Sequence, residues 1–481
     1  MELRQKALKG VVWSGARIWG GQVISFVVLL VLSRLIKPES FGLVAYASVF
    51  IAFIEIFLDQ GFGDAIVQRA VLETGHLDTA FWTNLLAGIL LTIACYASSG
   101  SIAEFFHQPQ LTPLLHWLSL CLTVMGLSAV QQAILRRELD FKKLALRSLI
   151  ASIAGGIVGV VLAIMGFGVW SLVAQTLTNA FVGLLVLWNV SSWRPRVYFS
   201  RTCFKDLFSF GSNVVGGNFL NFLNRHFDDI LIGYFLGPTA LGFYTIAYKL
   251  LRTMTSALTG VTNAVAFPAF SRLQNDPERM RNAFYGAVQY TSLISFPAFI
   301  AVAVLAPELI PALYGPNWYP SIAVMQVLAF IGVLHSVFFF NPSALLAAGR
   351  PSWRLGVAVM NAISNMIAFS LAVRWGIVAV AAAYVIRGYV LAPVEIWVVK
   401  KAIGLDIRLY LRQFVVALAS CAAMVVAILG LRYFLSTAVV FQLMILGLVG
   451  GAVYVSVVQL IMPSIRRQVA GFLGIVLPQW L

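Results

Sequence analysis

"NFLNRHFDDILIGYFLGPTALGFYTIA", residues 221–247, is the stretch whose reading decides the fold. Arg225, His226, Asp228 and Asp229 crowd into an otherwise apolar run. Either this is no membrane span, or its charges face something other than lipid. Spacing answers the question. Asn218, Asn221, Arg225 and Asp228 follow one another at intervals of three, four and three, which is one face of a helix. Phe219, Phe222, Leu223, Phe227 and Ile230 take the other faces. Arg225 and Asp229 stand at i,i+4, where an intrahelical ion pair is expected. The stretch reads as a membrane helix with one wet side.

Its second half occurs twice in the chain. "LIKPESFGLVAYA" at 35–47 returns as "FLGPTALGFYTIA" at 235–247, with Pro38, Gly42 and Ala47 matching Pro238, Gly242 and Ala247 at an offset of 200. Pro-x-x-x-Gly alone is common hairpin punctuation. Here the offset also spans six apolar segments, an even number, so both copies enter the membrane in the same direction. That predicts a parallel repeat: two six-helix bundles related by an axis along the membrane normal.

The rest of the chain fits this frame. Of 481 residues, 60% are hydrophobic and 11% charged, against about 25% charged in a soluble domain. About 20 apolar residues cross a bilayer as a helix. By that measure the expected fold is an all-α polytopic membrane protein with 14 transmembrane helices. They fall near 11–33, 41–63, 77–99, 110–132, 146–166, 168–190, 209–235, 239–262, 283–305, 321–345, 354–373, 376–399, 413–432 and 439–461. Residues 1–195 make an N-lobe of spans 1–6, 196–405 a C-lobe of spans 7–12, and 406–481 two additional C-terminal spans. The basic N-terminus leads into an apolar run without an AxA-like cleavage site, so it reads as an uncleaved first span.

The net charge of +15 would raise nucleic acid in a soluble protein. Here it sorts by side. With the N-terminus inside, the inner segments carry 24 Lys and Arg and the outer segments four: Arg34, Lys37, Arg374 and Arg432. Both termini are therefore expected in the cytoplasm, and no nucleic-acid role is expected. No outer loop is longer than "APELIPALYGPNWYP" at 306–320. That leaves no room for a catalytic domain and points to a transporter, not an enzyme. The four cysteines (Cys95, Cys121, Cys203 and Cys421) are far apart, and the five histidines form no HExxH. Neither a disulfide framework nor a metal site is suggested.

Five cations remain inside spans: Arg17, Arg225, Lys249, Arg252 and Arg387. A charge at the bilayer centre costs at least ~2.5–3.5 kcal/mol, so it usually faces a cavity or a partner. Counting rise per residue, Arg252 and Arg387 lie near mid-membrane and Lys249 one turn away. The carboxylates lie nearer the surfaces: Asp59, Asp64 and Glu395 towards the cytoplasm, Asp228 and Asp229 towards the outside. The middle of the bundle is basic, and in low dielectric it attracts anions strongly. Glu55, Asp59, Asp228 and Asp229 are the candidates for ion coupling or charge pairing. His116 and His335, alone among apolar residues, read as structural.

Four stretches resemble one family: "LRRELDFKKLALRSLIASIAGGIVGVVLAIMGFGVWSLVAQTL" (135–177), "DDILIGYFLGPTALGFYTIAYKL" (228–250), "FPAFSRLQND" (267–276) and "LYGPNWYPSIAVMQVL" (313–328). They resemble the polysaccharide-transporter (oligosaccharide flippase) branch of the multidrug/oligosaccharidyl-lipid/polysaccharide exporter superfamily. Within it they are most similar to colanic-acid and teichuronic-acid exporter-like proteins. The resemblance covers residues 1 to about 400. It implies two six-helix lobes in a V and alternating access. The implied substrate is an undecaprenyl-pyrophosphate-linked, acidic oligosaccharide, moved to the outer leaflet of the bacterial inner membrane. It also implies a cationic lumen on spans 1, 7 and 8, which carry Arg17, Arg225, Lys249 and Arg252. No cofactor is implied beyond a coupling ion, H+ or Na+. The implied partners are the lipid-linked oligosaccharide, membrane lipids, and the polysaccharide polymerase and export machinery. A lipid-II-type peptidoglycan flippase and a drug or cation antiporter of the same fold remain open at this point.

Overall fold

The computed structural model describes residues 20–463 except 60, 70, 71, 436 and 437; within helices it leaves aside the side chains of 59, 209–215, 259–265, 267 and 268. Regular structure among the described residues is helical throughout. With no water in the bilayer core, each backbone N–H and C=O must be satisfied inside its own segment, and a helix does this.

In order, the helices are α1 (Gly20–Leu35), α2 (Pro38–Asp59), α3 (Phe62–Gln68), α4 (Thr74–Phe105), α5 (Leu111–Leu118), α6 (Leu120–Arg137), α7 (Phe141–Ile164) and α8 (Val169–Val190). Then come α9 (Arg201–Arg272), α10 (Pro277–Tyr314), α11 (Ser321–Phe338), α12 (Asn341–Ala347), α13 (Pro351–Ala372), α14 (Ile377–Ile403), α15 (Ile407–Phe434) and α16 (Val439–Ile461). Among the described residues, 12 helical segments are long and apolar enough to cross a membrane, with α1 a shorter apolar helix. The protein is multi-pass. Its outward faces agree: Leu86, Leu90 and Ile93 on α4, and Ile386 and Val390 on α14, are exposed. Apolar faces this extensive belong in lipid rather than water.

Several helices outrun the bilayer. The 32 residues of α4 and 38 of α10 exceed what a core of about 30 Å requires. The outer loop expected at 306–320 is shorter than that, because α10 continues through Pro307 and Pro311 to Tyr314. Span 4 is two helices, α5 and α6, meeting at Ser119.

Helix α9 runs 72 residues but is two helices joined at Gly237, whose φ of 83° and ψ of 177° are not helical. Pro238 restricts the residue before it and supplies no N–H, and glycine accepts the positive φ. This is the expected boundary between spans 7 and 8. The two Pro-x-x-x-Gly copies touch here. A Cβ on Gly42 would run into the carbonyl of Pro238, and one on Gly242 into the carbonyl of Pro38. Tyr46 then donates its hydroxyl proton to the carbonyl of Gly233. Each glycine is where the other copy's backbone needs the space.

The chain folds as two compact units: Met1–Thr245 with Phe369–Ile377, and Ile246–Ala368 with Val378–Leu481. In the first, α7 packs along α8, α4 along α6, and α2 touches α4, α5, α6 and α8. In the second, α10 packs on α11, α15 and α16. Its core gathers Phe270, Phe284, Phe296, Phe340, Tyr410 and Phe414, with the Phe284 and Tyr410 rings stacked at 6.1 Å. Between membrane helices such packing stabilises by close contact, since lipid tails are as apolar as the side chains. The same unit holds an ion pair that sequence reading missed. Arg432 donates to Glu308 at 2.7 Å and to the Val304 carbonyl at 2.5 Å. Glu308 is buried.

Candidate functional site

The first unit contains a cleft of about 410 Å³ between α2, α6 and α9. From α9 come Asn218, Asn221, Phe222, Arg225 and His226, one helix face about 12 Å long. From α6 come Met125, Ala129, Gln132, Ala133 and Arg136, and from α2 Ala52, Glu55, Ile56 and Leu58. Ile56, Leu58, Ala133 and Phe222 are buried and make the cleft's apolar floor. Phe222 packs with Val49 and Ile56, which fixes α9 against α2. Above that floor stand, among the described residues, two guanidiniums, one imidazole, one carboxylate and three side-chain amides.

The pairing differs from the expectation. Asp229 pairs with His226, whose Nδ1 lies 3.1 Å from its carboxylate. Arg225 has no ion pair among the described residues, and its exposed side chain lines the cleft. Both partners were within reach of Asp229, at i−3 and i−4. The ring has fewer rotors to order, and packing against Phe222 at 5.2 Å already holds it.

Asp228 also departs from the expected wet face. It is 3% exposed and accepts a hydrogen bond of 2.8 Å from the Tyr244 hydroxyl. At about 100° per residue, Asp228 lies roughly 80° round the helix from Asn218, at the edge of the stripe. Asn218, Asn221 and Arg225 are brought together, and Asp228 is turned into the protein.

The remaining candidates lie elsewhere. Lys249 and Arg252, in the second unit, are exposed and without an ion pair among the described residues. Arg387, read from sequence as a lumen cation, is tied down. It donates to Asn361 at 2.5 Å and to Ser364 at 3.3 Å, and its guanidinium carbon lies 5.5 Å from the Tyr384 ring centroid. Asn361 in turn donates to Glu395 at 2.8 Å. Arg17 and the Asp59 side chain lie outside the described residues. His335 bonds Tyr384 at 3.3 Å; His116 bonds Ser99 at 2.7 Å and stacks on Tyr96, so both histidines are held by neighbours.

Arg136, Gln132 and His226 are cleft residues that sequence reading did not select. Arg136 was counted as loop charge, yet α6 continues to Arg137. Gln132 and Arg136 stand at i,i+4, a polar pair on one face, and that signal was available.

Comparison with known proteins can be set beside this geometry. A family model described as "Polysaccharide biosynthesis protein" matches residues 31–323. The chain belongs to that family. Relatives of the family member described here include the lipopolysaccharide biosynthesis protein WzxC of Escherichia coli (strain K12). It is 30% identical over 73% of this chain and 72% of its own. The teichuronic acid biosynthesis protein TuaB of Bacillus subtilis (strain 168) is 27% identical over 89% of both chains. Among solved structures, the lipid II flippase MurJ in an inward closed conformation matches with a TM-score of 0.77. It covers 95% of this chain and 99% of its own, at 13% identity. The fold is shared at that identity.

Proposed function

We propose that the protein is a flippase of the bacterial inner membrane. It translocates an undecaprenyl-pyrophosphate-linked acidic oligosaccharide to the outer leaflet by alternating access, for surface polysaccharide biosynthesis. Family membership and the shared fold support a membrane transporter of a lipid-linked glycan. The observation that carries the substrate class is the cleft, in which Arg225 and Arg136 stand over an apolar floor with Glu55 as the one carboxylate lining it among the described residues. A pyrophosphate headgroup is at least doubly negative, and lipid excludes it as it excludes isolated charges. Guanidiniums meet phosphate oxygens through two parallel N–H donors. The asparagines Asn218 and Asn221 offer further donors, and Phe222 a surface for a sugar ring or prenyl unit.

The same reading carries the finer proposals. There are fourteen spans: α9 supplies two across Gly237, and α1 belongs to the first. Both termini are cytoplasmic. The lobes are residues 1–195 and 196–405, related by the repeat, with 406–481 appended; the reciprocal contacts of Gly42 and Gly242 support a two-fold relation. Arg17, Lys249 and Arg252 extend the cationic path, and Glu55 and Asp59 serve a coupling ion.

The test is complementation. A strain lacking the protein is supplied with the Arg136→Ala/Arg225→Ala variant, and membrane insertion is checked. Expected is loss of surface glycan with the lipid-linked precursor trapped inside. Normal export by the inserted double variant would overturn the proposal. Rescue of a strain depleted of its lipid II flippase, without effect on surface glycan, would favour a peptidoglycan precursor instead, the reading the MurJ fold keeps open.

A further inference from the structure

Away from the cleft, three ligand-type side chains of the first unit meet where α4 and α9 begin. Glu73 immediately precedes α4, His76 lies in its first turn, and Cys203 lies in the first turn of α9. A carboxylate oxygen, a ring nitrogen and the thiol sulfur lie within 4.8 Å of one another. His76 is 4% exposed, and neither ring nitrogen has a hydrogen-bond partner among the described residues. A buried polar group left unsatisfied costs about 1–3 kcal/mol, and native structures keep few of them. The carboxylate of Asp206 is 3.7 Å from Nε2, too long for a hydrogen bond, and Arg69 holds it at 2.9 Å. Cys203 is a buried free thiol, and Glu73 is exposed, which leaves a way in.

The juxtaposition is built by other contacts. Trp82 donates to the Arg196 carbonyl at 2.7 Å, Asp78 accepts from the Arg196 N–H at 3.0 Å, and Thr79 accepts from the Ser200 N–H at 3.1 Å. These dock the segment before α9 onto the first turns of α4. Gly75 permits the approach: a Cβ there would press on Tyr198 at 2.9 Å and stand 3.7 Å from the Cys203 sulfur.

We propose that Glu73, His76 and Cys203 bind a borderline-soft divalent cation, Zn2+. Sulfur, imidazole nitrogen and carboxylate oxygen are the donors zinc takes, whereas Mg2+ and Ca2+ prefer oxygen throughout. In a tetrahedral zinc site sulfur and nitrogen are about 3.6 Å apart, so from a separation within 4.8 Å the cluster closes by no more than about 1.2 Å. Asp206, 3.7 Å from Nε2, is placed to complete the shell or orient the ring. The ion satisfies the orphaned imidazole and fastens α4 to the start of α9.

The test uses the full chain, purified under reducing conditions in detergent, loaded with Zn2+ from a chelator buffer and desalted. Elemental analysis should find about one zinc per chain. Cys203→Ser should weaken binding by at least about 100-fold and Glu73→Gln by about 10-fold. Co2+ alone on the unaltered protein should give a thiolate-to-cobalt charge-transfer band, which needs no variant to fold. Unaltered, monodisperse protein that retains no zinc, or that binds Co2+ without that band, would overturn the proposal. So would full zinc retention by folded Cys203→Ser.

Discussion

Replacing Arg225 with alanine removes an exposed cleft guanidinium that has no ion pair among the described residues, so the substitution leaves no buried partner stranded. The loss should fall on ligand binding and not on folding. A hydrogen bond between charged groups contributes about 1.5–3 kcal/mol, and each 1.36 kcal/mol is tenfold. Coulomb attraction at 4 Å and an effective dielectric constant of 20, about 4 kcal/mol, bounds it from above. The expected weakening for undecaprenyl pyrophosphate is therefore roughly 10- to 150-fold. Arg225→Lys should lose less, since it keeps the charge but not the fork. If Arg136 and Arg225 grip one headgroup, their effects should couple by at least about 0.5 kcal/mol in a double-mutant cycle. The assay is titration of protein in nanodiscs with undecaprenyl pyrophosphate and with undecaprenol, at two ionic strengths. Binding of the pyrophosphate should weaken with salt, as expected for exposed charges. Unchanged pyrophosphate affinity in Arg225→Ala, or an equal loss for the uncharged prenol, would refute the reasoning.

Three stability predictions accompany it, each read as a melting temperature in detergent. Gly42→Ala and Gly242→Ala should each cost about 1–3 kcal/mol, because the obstructing atoms are backbone carbonyls that cannot swing aside. Gly430→Ala, with open space around its Cβ inside α15, should be neutral or stabilising by about 0.5–1 kcal/mol; equal melting of all three would contradict the packing argument. Glu308→Gln should cost about 3–5 kcal/mol by leaving Arg432 without its counter-charge, and Glu308→Gln/Arg432→Met should recover much of it. Tyr244→Phe should cost about 1–3 kcal/mol by withdrawing a donor from buried Asp228, and a wild-type melt would count against that role.

Much of the fold was legible because the bilayer imposes it. Apolar runs near the thickness of the hydrocarbon core marked the helices, and Gly237-Pro238 marked the break inside α9. Helix ends were less legible, since the bilayer constrains only the embedded part. That is why α4 begins at Thr74 and why α10 reaches Tyr314 through two prolines. The recurrence of one motif was visible in Pro38 and Gly42 echoed by Pro238 and Gly242. What no spacing could convey is that each glycine meets the other copy's proline carbonyl.

The candidate site divides along the same line. Periodicity placed Asn218, Asn221 and Arg225 on one face, and they share the cleft. Periodicity does not choose partners. Two basic side chains stood one turn from Asp229, and the choice fell to the one already packed on an aromatic ring. Nor does depth choose roles. Arg225, in the outer half of its span, and Arg387, near mid-membrane, both read as cations of the lumen. Asn361 and Ser364 both accept from Nη1 of Arg387 and hold it within the protein, while Arg225 has no ion pair among the described residues. A guanidinium anchored by neighbouring side chains holds helices together. One they leave unsatisfied beside a cleft keeps its donors for a ligand, and on that difference Arg225→Ala should impair binding where Arg387→Ala should first impair folding.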